Sequence, residues 1–508
     1  MSEHPGRTVN HFTPHRRSRR LLLAAPLMLA LVVCGVRIAG PSDLSQNYDQ
    51  SKTIAYTADI VLHGRWVLPR DNRGALTTKP PLVNWVGAVV AGSLQPLGFA
   101  WREWSLKMPT MLAGLLAVGV TTLAGYRLSI CGQGELPGRS PPVYVACGAG
   151  LVLASSPFFV KHVYFLRPDM LAAALLACGW LAATVLLRDE TKRPGAWAVA
   201  LWLCMGLAAL TKGFTALLLP LYILAAAKLV HGRFAAAQRT RWFIGLPAAV
   251  ALGLSWPAMV WLVNREYLFE GLWGGQTAER FSGDGGWGSY FAGIGRDVLE
   301  MAGWPLEGVG PWYLAAIAVL FALPRRQWLG PVAGPAIVWC LCVWAIFLPL
   351  THKGASYLLP MYPAMAVLAA VAWLNLPKIA PPGRSLVGLT LLAALCVGGA
   401  LVWETKFSHA ARRGEAGATM VDFAKRAQPH VKDQPVSFVA LTNSPVITLL
   451  GRHPGNGPLE DADAPWVVEL MPEKQVENAA EFEIISDAFQ SRQTRYIDGP
   501  AVLILRER

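Results

Sequence analysis

Charged residues are scarce in this chain of 508 residues. Only 15% of the sequence is Asp, Glu, Lys or Arg, against roughly 25% in a typical soluble protein. Hydrophobic residues make up 54% of it, and many of them fall in runs near the roughly 20 residues that a helix needs to cross a bilayer. This composition excludes a soluble enzyme, a disordered protein and a nucleic-acid-binding module, and it predicts a polytopic membrane protein.

Cysteine pairs suited to metal or redox chemistry are also missing. The chain has 8 cysteines, but it contains no Cys-x-x-Cys spacing and none of the eight follows Cys396. The polar C-terminal region is therefore expected to have no disulfide, and no zinc or redox motif is predicted.

Acidic residues are outnumbered, 32 against 45 Lys and Arg, which gives a net charge of +13. The basic residues cluster in short loops between apolar runs, as cytoplasmic loops do under the positive-inside rule. One such cluster, at 16–20, directly precedes the first apolar run, and no convincing cleavage site follows that run. We therefore expect residues 1–20 to be cytoplasmic and the first span to be uncleaved.

The apolar runs predict an all-α protein of about 11–13 transmembrane helices. For the basic loops to share one side, the run at 82–99 must not cross the membrane, so we expect it to be an in-plane or a re-entrant segment. The long loop at 41–106 then faces the opposite, non-cytoplasmic side. The eleven candidate spans are 21–40, 107–126, 142–163, 170–187, 195–211, 213–230, 242–262, 311–324, 331–350, 356–375 and 385–403.

The character of the chain changes at about residue 404. The region 404–508 is rich in charged residues and has strand-like apolar runs at 436–440 and 501–505. A helix is expected over 474–491. These patterns predict a small soluble α/β domain after a membrane domain at 21–403.

Ionisable residues beside membrane spans are costly, which makes them candidates for function. Asp49 lies near the start of a helical pattern at 48–62, where a carboxylate is either a helix cap or a catalytic group. We assign Asp43 and Asp59 to structure.

Several short motifs, in order, resemble one family, the polyprenyl-phosphate-dependent glycosyltransferases of the GT-C class. That family includes the lipid A aminoarabinose transferases and relatives of the protein O-mannosyltransferases. The matching motifs are Asp49-Gln50 with Asp59 and Gly64-Arg65-Trp66, Lys79-Pro80-Pro81-Leu82, Arg167-Pro168-Asp169, Leu210-Thr211-Lys212-Gly213, Arg280-Phe281, and Lys353 with Tyr357-Leu358-Leu359-Pro360. The resemblance covers about residues 20–400.

The resemblance implies an inverting glycosyltransferase, of hexosyl or pentosyl type, in a bacterial inner membrane. The donor would be a sugar on a polyprenyl phosphate, and the acceptor a lipid A-like glycolipid, a glycan or a protein on the periplasmic face. The topology set by the basic loops places the C-terminal domain on that same side. No cofactor is implied. The implied site residues are Asp49 and Asp169 for catalysis, Lys79, Lys212 and Arg280 for the donor phosphate, and Tyr357 and Lys353 for substrate binding.

This sequence departs from the family pattern at two positions that could otherwise be metal ligands. Thr78 replaces a glutamate and Gln276 replaces a histidine, and both are poor ligands, so we predict no metal there. Two other functions remain open from the sequence: a transporter or flippase of a lipid-linked substrate, and a non-catalytic membrane receptor that works through its C-terminal domain.

Overall fold

The computed structural model describes the chain in sixteen ranges: 16–44, 48–131, 140–188, 191–277, 287–323, 325–350, 354–375, 381–407, 419–431, 434–439, 441, 444–455, 459–472, 483–484, 489–491 and 499–507. Helices dominate up to residue 402. In chain order they are α1 Arg16–Ala39, α2 Tyr48–His63, α3 Leu82–Leu94, α4 Glu103–Leu106, α5 Met108–Cys131, α6 Pro142–Ala154, α7 Pro157–His162, α8 Pro168–Leu187, α9 Pro194–Lys212, α10 Leu218–Leu229, α11 Trp242–Val263, α12 Arg265–Tyr267, α13 Trp287–Val309, α14 Trp312–Ala322, α15 Arg325–Trp328, α16 Gly334–Phe347, α17 Tyr362–Asn375 and α18 Pro382–Val402.

The predicted helical membrane class is confirmed. Among the described residues, seven helices are long and apolar enough to cross a membrane, or eight if the bent pair Val298–Val309 and Trp312–Phe321 is one span. This is fewer than the 11–13 predicted, although each predicted segment contains helix. The difference arises because α6 and α16 have only 13 and 14 residues, and because 194–229 is one apolar stretch of 36 residues.

The centre of the helical part is a packed core built around α8. Trp180 of α8 is fully buried and donates a hydrogen bond to the Pro335 carbonyl at 3.2 Å. Trp339 of α16 packs against Trp180 and Tyr222, and it donates to the Pro360 carbonyl at 2.7 Å. Each buried indole thus has a partner for its polar N–H, so the aromatic core is satisfied in a low-dielectric interior.

The outer helices present apolar side chains away from the core. Ile244 and Leu262 of α11 and Leu395 of α18 are largely exposed, as is Phe243. Exposed leucine, isoleucine and phenylalanine are unfavourable in water, so these faces are those of helices in contact with lipid.

The C-terminal region forms a five-stranded sheet with two helices. After the helix 419–427 (α19) come β1 Val436–Val439, helix α20 Pro445–Leu449, β2 Trp466–Pro472, β3 Glu483–Ile484, β4 Phe489–Ser491 and β5 Gly499–Glu507. The strand order is β1-β2-β5-β3, with β4 also on β5; β1 and β2 are parallel and the other pairs are antiparallel.

The predicted small α/β unit is confirmed, and the predicted strands correspond to β1 and β5. The helix expected over 474–491 is wrong where the chain is described, because β3 and β4 lie there as strands. Both are short and pair with β5, so hydrogen bonding to a partner strand outweighs the helical pattern of the segment.

The first loop and the C-terminal domain share one hydrophobic core. Leu44, Ile54 and Leu166 of the membrane part pack in the same buried cluster as Phe423 and Ile447 of the C-terminal part. The loop that carries the predicted site therefore packs against the C-terminal domain as well as against the membrane helices.

Candidate active site

The candidate site begins with an ion pair between two predicted residues of the first loop. Asp49 lies in the first turn of α2, where its carboxylate interacts favourably with the helix dipole. Lys79 Nζ donates to Asp49 Oδ2 at 3.0 Å. Pro80 follows Lys79 and biases it toward an extended backbone, which carries the lysine out of the loop toward α2.

A second pair of charges stands at the start of α8. Pro168 occupies the first helical position, for which its fixed φ is suited, and Asp169 follows in the first turn. Arg167 precedes them in an extended conformation, with Nε 3.2 Å from Asp169 Oδ2 and Nη2 3.8 Å from Asp49 Oδ2. Arg167 thus connects the two predicted carboxylates.

Lys212 completes the cluster from the end of α9. Its Nζ donates to Asp169 Oδ1 at 2.5 Å and lies 4.0 Å from the centroid of the Tyr357 ring, a cation–π contact. Gly213 then reverses the chain with φ +57°, a conformation that side chains with a Cβ rarely adopt. The Lys-Gly sequence therefore places an ammonium group at the helix end.

Together these residues form a continuous network of ion pairs, Lys79–Asp49–Arg167–Asp169–Lys212, which we call the relay. Three cations face two carboxylates, so the cluster carries a net charge of +1. Asp169 is buried at 1% exposure, whereas the Asp49 and Lys79 side chains are 36% and 40% exposed. Asp169 is thus placed to orient cations, and Asp49 and Lys79 are placed to meet a ligand.

Gln50 fixes the position of the relay. Its buried amide donates to the Asp43 carbonyl at 2.9 Å, and its oxygen accepts from the Leu166 backbone N–H at 2.8 Å. Asp43 is itself buried in ion pairs with Arg37 and Lys107. Gln50 therefore connects the start of α2 to the turn that carries Arg167, and the structural assignment of Asp43 agrees with these contacts.

The rest of the loop is anchored by backbone carbonyls. Trp85 donates to the Trp66 carbonyl at 2.7 Å, and Trp256 of α11 donates to the Val67 carbonyl at 2.8 Å. The Tyr267 hydroxyl donates to the Thr77 carbonyl at 3.1 Å. These contacts restrain the segment that delivers Lys79.

Two cavities lie near the loop. One of about 50 Å³ is lined by Asp49, Lys79 and Asn84, among others, and so adjoins the relay. A larger one of about 290 Å³ lies between the end of α1, α4 and α19, and no predicted site residue lines it.

The structure brings five of the seven predicted site residues together: Asp49, Lys79, Asp169, Lys212 and Tyr357. Arg280 and Lys353 lie outside the described residues. Among the described residues, the cations that form ion pairs with Asp169 are Lys212 and Arg167. Arg167 was not among the predicted site residues; its position beside Asp169, between two apolar runs, was the available signal.

Comparison with solved structures identifies proteins of similar fold. The ArnT crystal structures from Cupriavidus metallidurans match in the apo state, with a TM-score of 0.61, and bound to undecaprenyl phosphate, with a TM-score of 0.62. Both are 18% identical to this chain; the matches cover 96% and 97% of it and 98% of each ArnT chain. The oligosaccharyltransferase AglB from Archaeoglobus fulgidus, in complex with an inhibitory peptide and a dolichol-phosphate, is 12% identical over 90% of this chain and 70% of its own, with a TM-score of 0.47.

The likeness to ArnT extends over nearly the whole of both chains and shows that this chain adopts the GT-C fold. The resemblance predicted from the motifs is thereby confirmed for the fold. No known family profile matches the chain, and no curated protein sequence does.

Proposed function

We propose that the protein is a membrane glycosyltransferase that moves a sugar from a polyprenyl-phosphate donor to an acceptor hydroxyl. The observation that carries this proposal is the relay Lys79–Asp49–Arg167–Asp169–Lys212, which three separate parts of the chain build within a fold shared with ArnT. The ArnT structure that binds undecaprenyl phosphate supports the same class of donor.

The chemistry explains why several cations are needed. The acceptor oxygen attacks C1 of the sugar, the bond from C1 to the phosphate oxygen breaks, and the acceptor proton leaves. The lipid phosphate changes from a diester with one negative charge to a monoester that carries nearly two. Cations aimed at that phosphate lower the barrier because they bind the transition state more tightly than the ground state.

Each residue then has a role. Lys79 and Lys212, with Arg280, hold the donor phosphate; Arg167 is a further cation for it. Asp49 accepts or orients the acceptor proton. Asp169 positions Lys212 and Arg167, and Tyr357 and Lys353 contact the substrate. In-line attack on C1 gives inversion.

The charge pattern of the loops supports an orientation. The site faces the periplasm of a bacterial inner membrane, the N-terminus is cytoplasmic, and the domain from 404 to 508 is periplasmic, above the site. The acceptor is a lipid A-like glycolipid, another glycan or a protein hydroxyl.

The test is mass spectrometry of envelope glycolipids from wild type, a deletion strain and strains with Asp49→Asn or Asp463→Asn. Asp463 is an exposed acid of the C-terminal domain and serves as the matched control. We expect one sugar modification to vanish in the deletion and in Asp49→Asn, and to persist in Asp463→Asn. Full modification in Asp49→Asn contradicts the role of Asp49.

The bond-breaking step is tested separately with purified protein in vesicles. A transferase releases polyprenyl phosphate from the sugar donor, whereas a flippase moves the intact donor between leaflets. Movement of the donor without its cleavage, with the acceptor present, contradicts the proposal.

A further inference from the structure

Three potential metal ligands meet where the end of α2 faces the C-terminal domain. Asp59 and His63 lie one turn apart on α2, and His453 comes from the segment after α20. Asp59 Oδ1 is 2.9 Å from His63 Nδ1 and 3.4 Å from His453 Nδ1, and all three ligand atoms lie within 4.8 Å of one another. The relay described above uses none of these residues.

The hydrogen bonds of His453 define which of its ring nitrogens carries the proton. Nε2 donates to the Arg70 backbone carbonyl at 2.9 Å, since a carbonyl can only accept. Nδ1 is therefore deprotonated, and it accepts from the Gly455 N–H at 3.0 Å. A deprotonated Nδ1 thus faces a carboxylate oxygen, so two acceptors lie together with no proton between them.

A metal cation between the two acceptor atoms would replace their repulsion with two favourable coordination bonds. Histidine ligands of metals commonly donate their outer N–H to a backbone carbonyl, as His453 does to Arg70. In a tetrahedral zinc site with bonds of about 2.0–2.1 Å, ligand atoms are about 3.3 Å apart. The two distances from Asp59 Oδ1, 2.9 and 3.4 Å, lie on either side of that value.

We propose that Asp59, His63 and His453 bind a divalent transition-metal ion, of which zinc suits this ligand set best, and that the ion fastens the C-terminal domain to the first loop. Asp59 and His453 are fully buried, whereas the His63 side chain is 31% exposed, which gives the ion access and leaves room for a water as fourth ligand. None of these three ligands is Thr78 or Gln276, the positions at which the sequence predicts no metal.

Three existing contacts change when the ion binds. The His63 proton on Nδ1, now directed at Asp59, is displaced from that nitrogen, as metal binding to histidine requires. The Gly455 N–H loses its acceptor, because the single lone pair of His453 Nδ1 is taken by the ion. The Arg65 guanidinium, 3.3 Å from Asp59 Oδ1 and 27% exposed, moves to solvent. Asp59 Oδ2 keeps its bond from the Arg70 N–H at 2.7 Å, so the ion is tied to the loop backbone that leads to Lys79.

The experiment uses full-length protein in detergent, with any affinity tag removed and resident metal stripped with EDTA. Co²⁺ is titrated and followed by visible absorption, and zinc is counted by mass spectrometry after reloading and gel filtration. His63→Gln and His453→Gln are compared with His430→Gln, an exposed histidine of the same domain.

We expect about one zinc per chain and a tetrahedral Co²⁺ spectrum in wild type and His430→Gln, and the loss of both in the other two variants. Zinc should also raise the unfolding temperature of wild type but not of His63→Gln. Because His63 is partly exposed, that variant decides the question even if His453→Gln does not fold. A wild type that binds no Co²⁺, or binding that survives His63→Gln, overturns the proposal. None of these measurements depends on glycosyl transfer.

Discussion

At the scale of single residues, Lys212 has two roles that must be separated. Its ammonium neutralises buried Asp169 and is also proposed to bind the donor phosphate. Lys212→Met removes the nearer of the two cations that pair with Asp169 in the described part of the chain and leaves Arg167, so we expect a loss of stability and a fall in turnover of about 10²–10³-fold, as for removal of one transition-state donor. Thermal unfolding in detergent and the release of polyprenyl phosphate measure the two effects.

The double variant Asp169→Asn/Lys212→Met distinguishes the two roles. It removes both charges of the pair, so much of the stability lost in Lys212→Met should return. Turnover should stay low, because the phosphate still lacks its cation. If turnover recovers together with stability, Lys212 is only a charge partner of Asp169.

Short motifs predict most of the residues that form the relay, but they do not predict how those residues pair. Asp49, Lys79, Asp169 and Lys212 each lie in a motif that is local in the sequence; their roles in the reaction stay predictions. The contacts join residues far apart in the chain, such as Asp49 to Arg167, and nothing local encodes them. The proximity of His453 to Asp59 could not be predicted for the same reason, because nearly four hundred residues separate them and the sequence alone assigned Asp59 to structure.

At the scale of elements, Gln50 positions α2 against the turn before α8. The structure explains why residue 50 is an amide: its N–H donates to the Asp43 carbonyl, and its oxygen accepts from the Leu166 N–H. A carboxylate has no donor for the first bond. An acidic residue at this position would therefore leave the Asp43 carbonyl without this donor.

We expect Gln50→Leu to lower the free energy of unfolding by roughly 1–3 kcal/mol, because it leaves a buried N–H and a buried carbonyl without partners. Turnover should fall as well, since Asp49 and Arg167 lose their common support. Gln95→Leu, the same change at an exposed position, is the control. Equal unfolding temperatures for the two variants would contradict the positioning role of Gln50.

The helices themselves were predictable because long apolar runs in a membrane protein have few alternatives to helix. The secondary-structure prediction is wrong in the polar C-terminal region, where this constraint on apolar runs does not apply. The segment 474–491 is polar, and its described parts are strands that depend on β5, a partner the segment itself does not specify.

At the scale of the whole molecule, the C-terminal domain and the first loop share one hydrophobic core, and we expect them to unfold together. Phe423 of α19 is fully buried in the cluster that also contains Ile54 of α2 and Leu166 beside the relay. A domain merely tethered by a linker would have its own closed core. The shared core means that the domain helps to shape the site, even though it supplies none of the predicted catalytic residues.

Phe423→Ala tests this coupling. A buried Phe→Ala change costs about 3–5 kcal/mol, and the cavity it leaves adjoins residues of the first loop. We expect the domain and the loop to loosen together, so that protease cleavage at Arg70 or Arg73 accelerates along with cleavage in the domain, and transfer declines. Lys425→Ala, an exposed position on the same helix, should change neither. The contrary result would be faster cleavage of the domain with unchanged cleavage of the loop and an unchanged rate of transfer. In that case the two parts fold independently, and the site does not depend on the C-terminal domain.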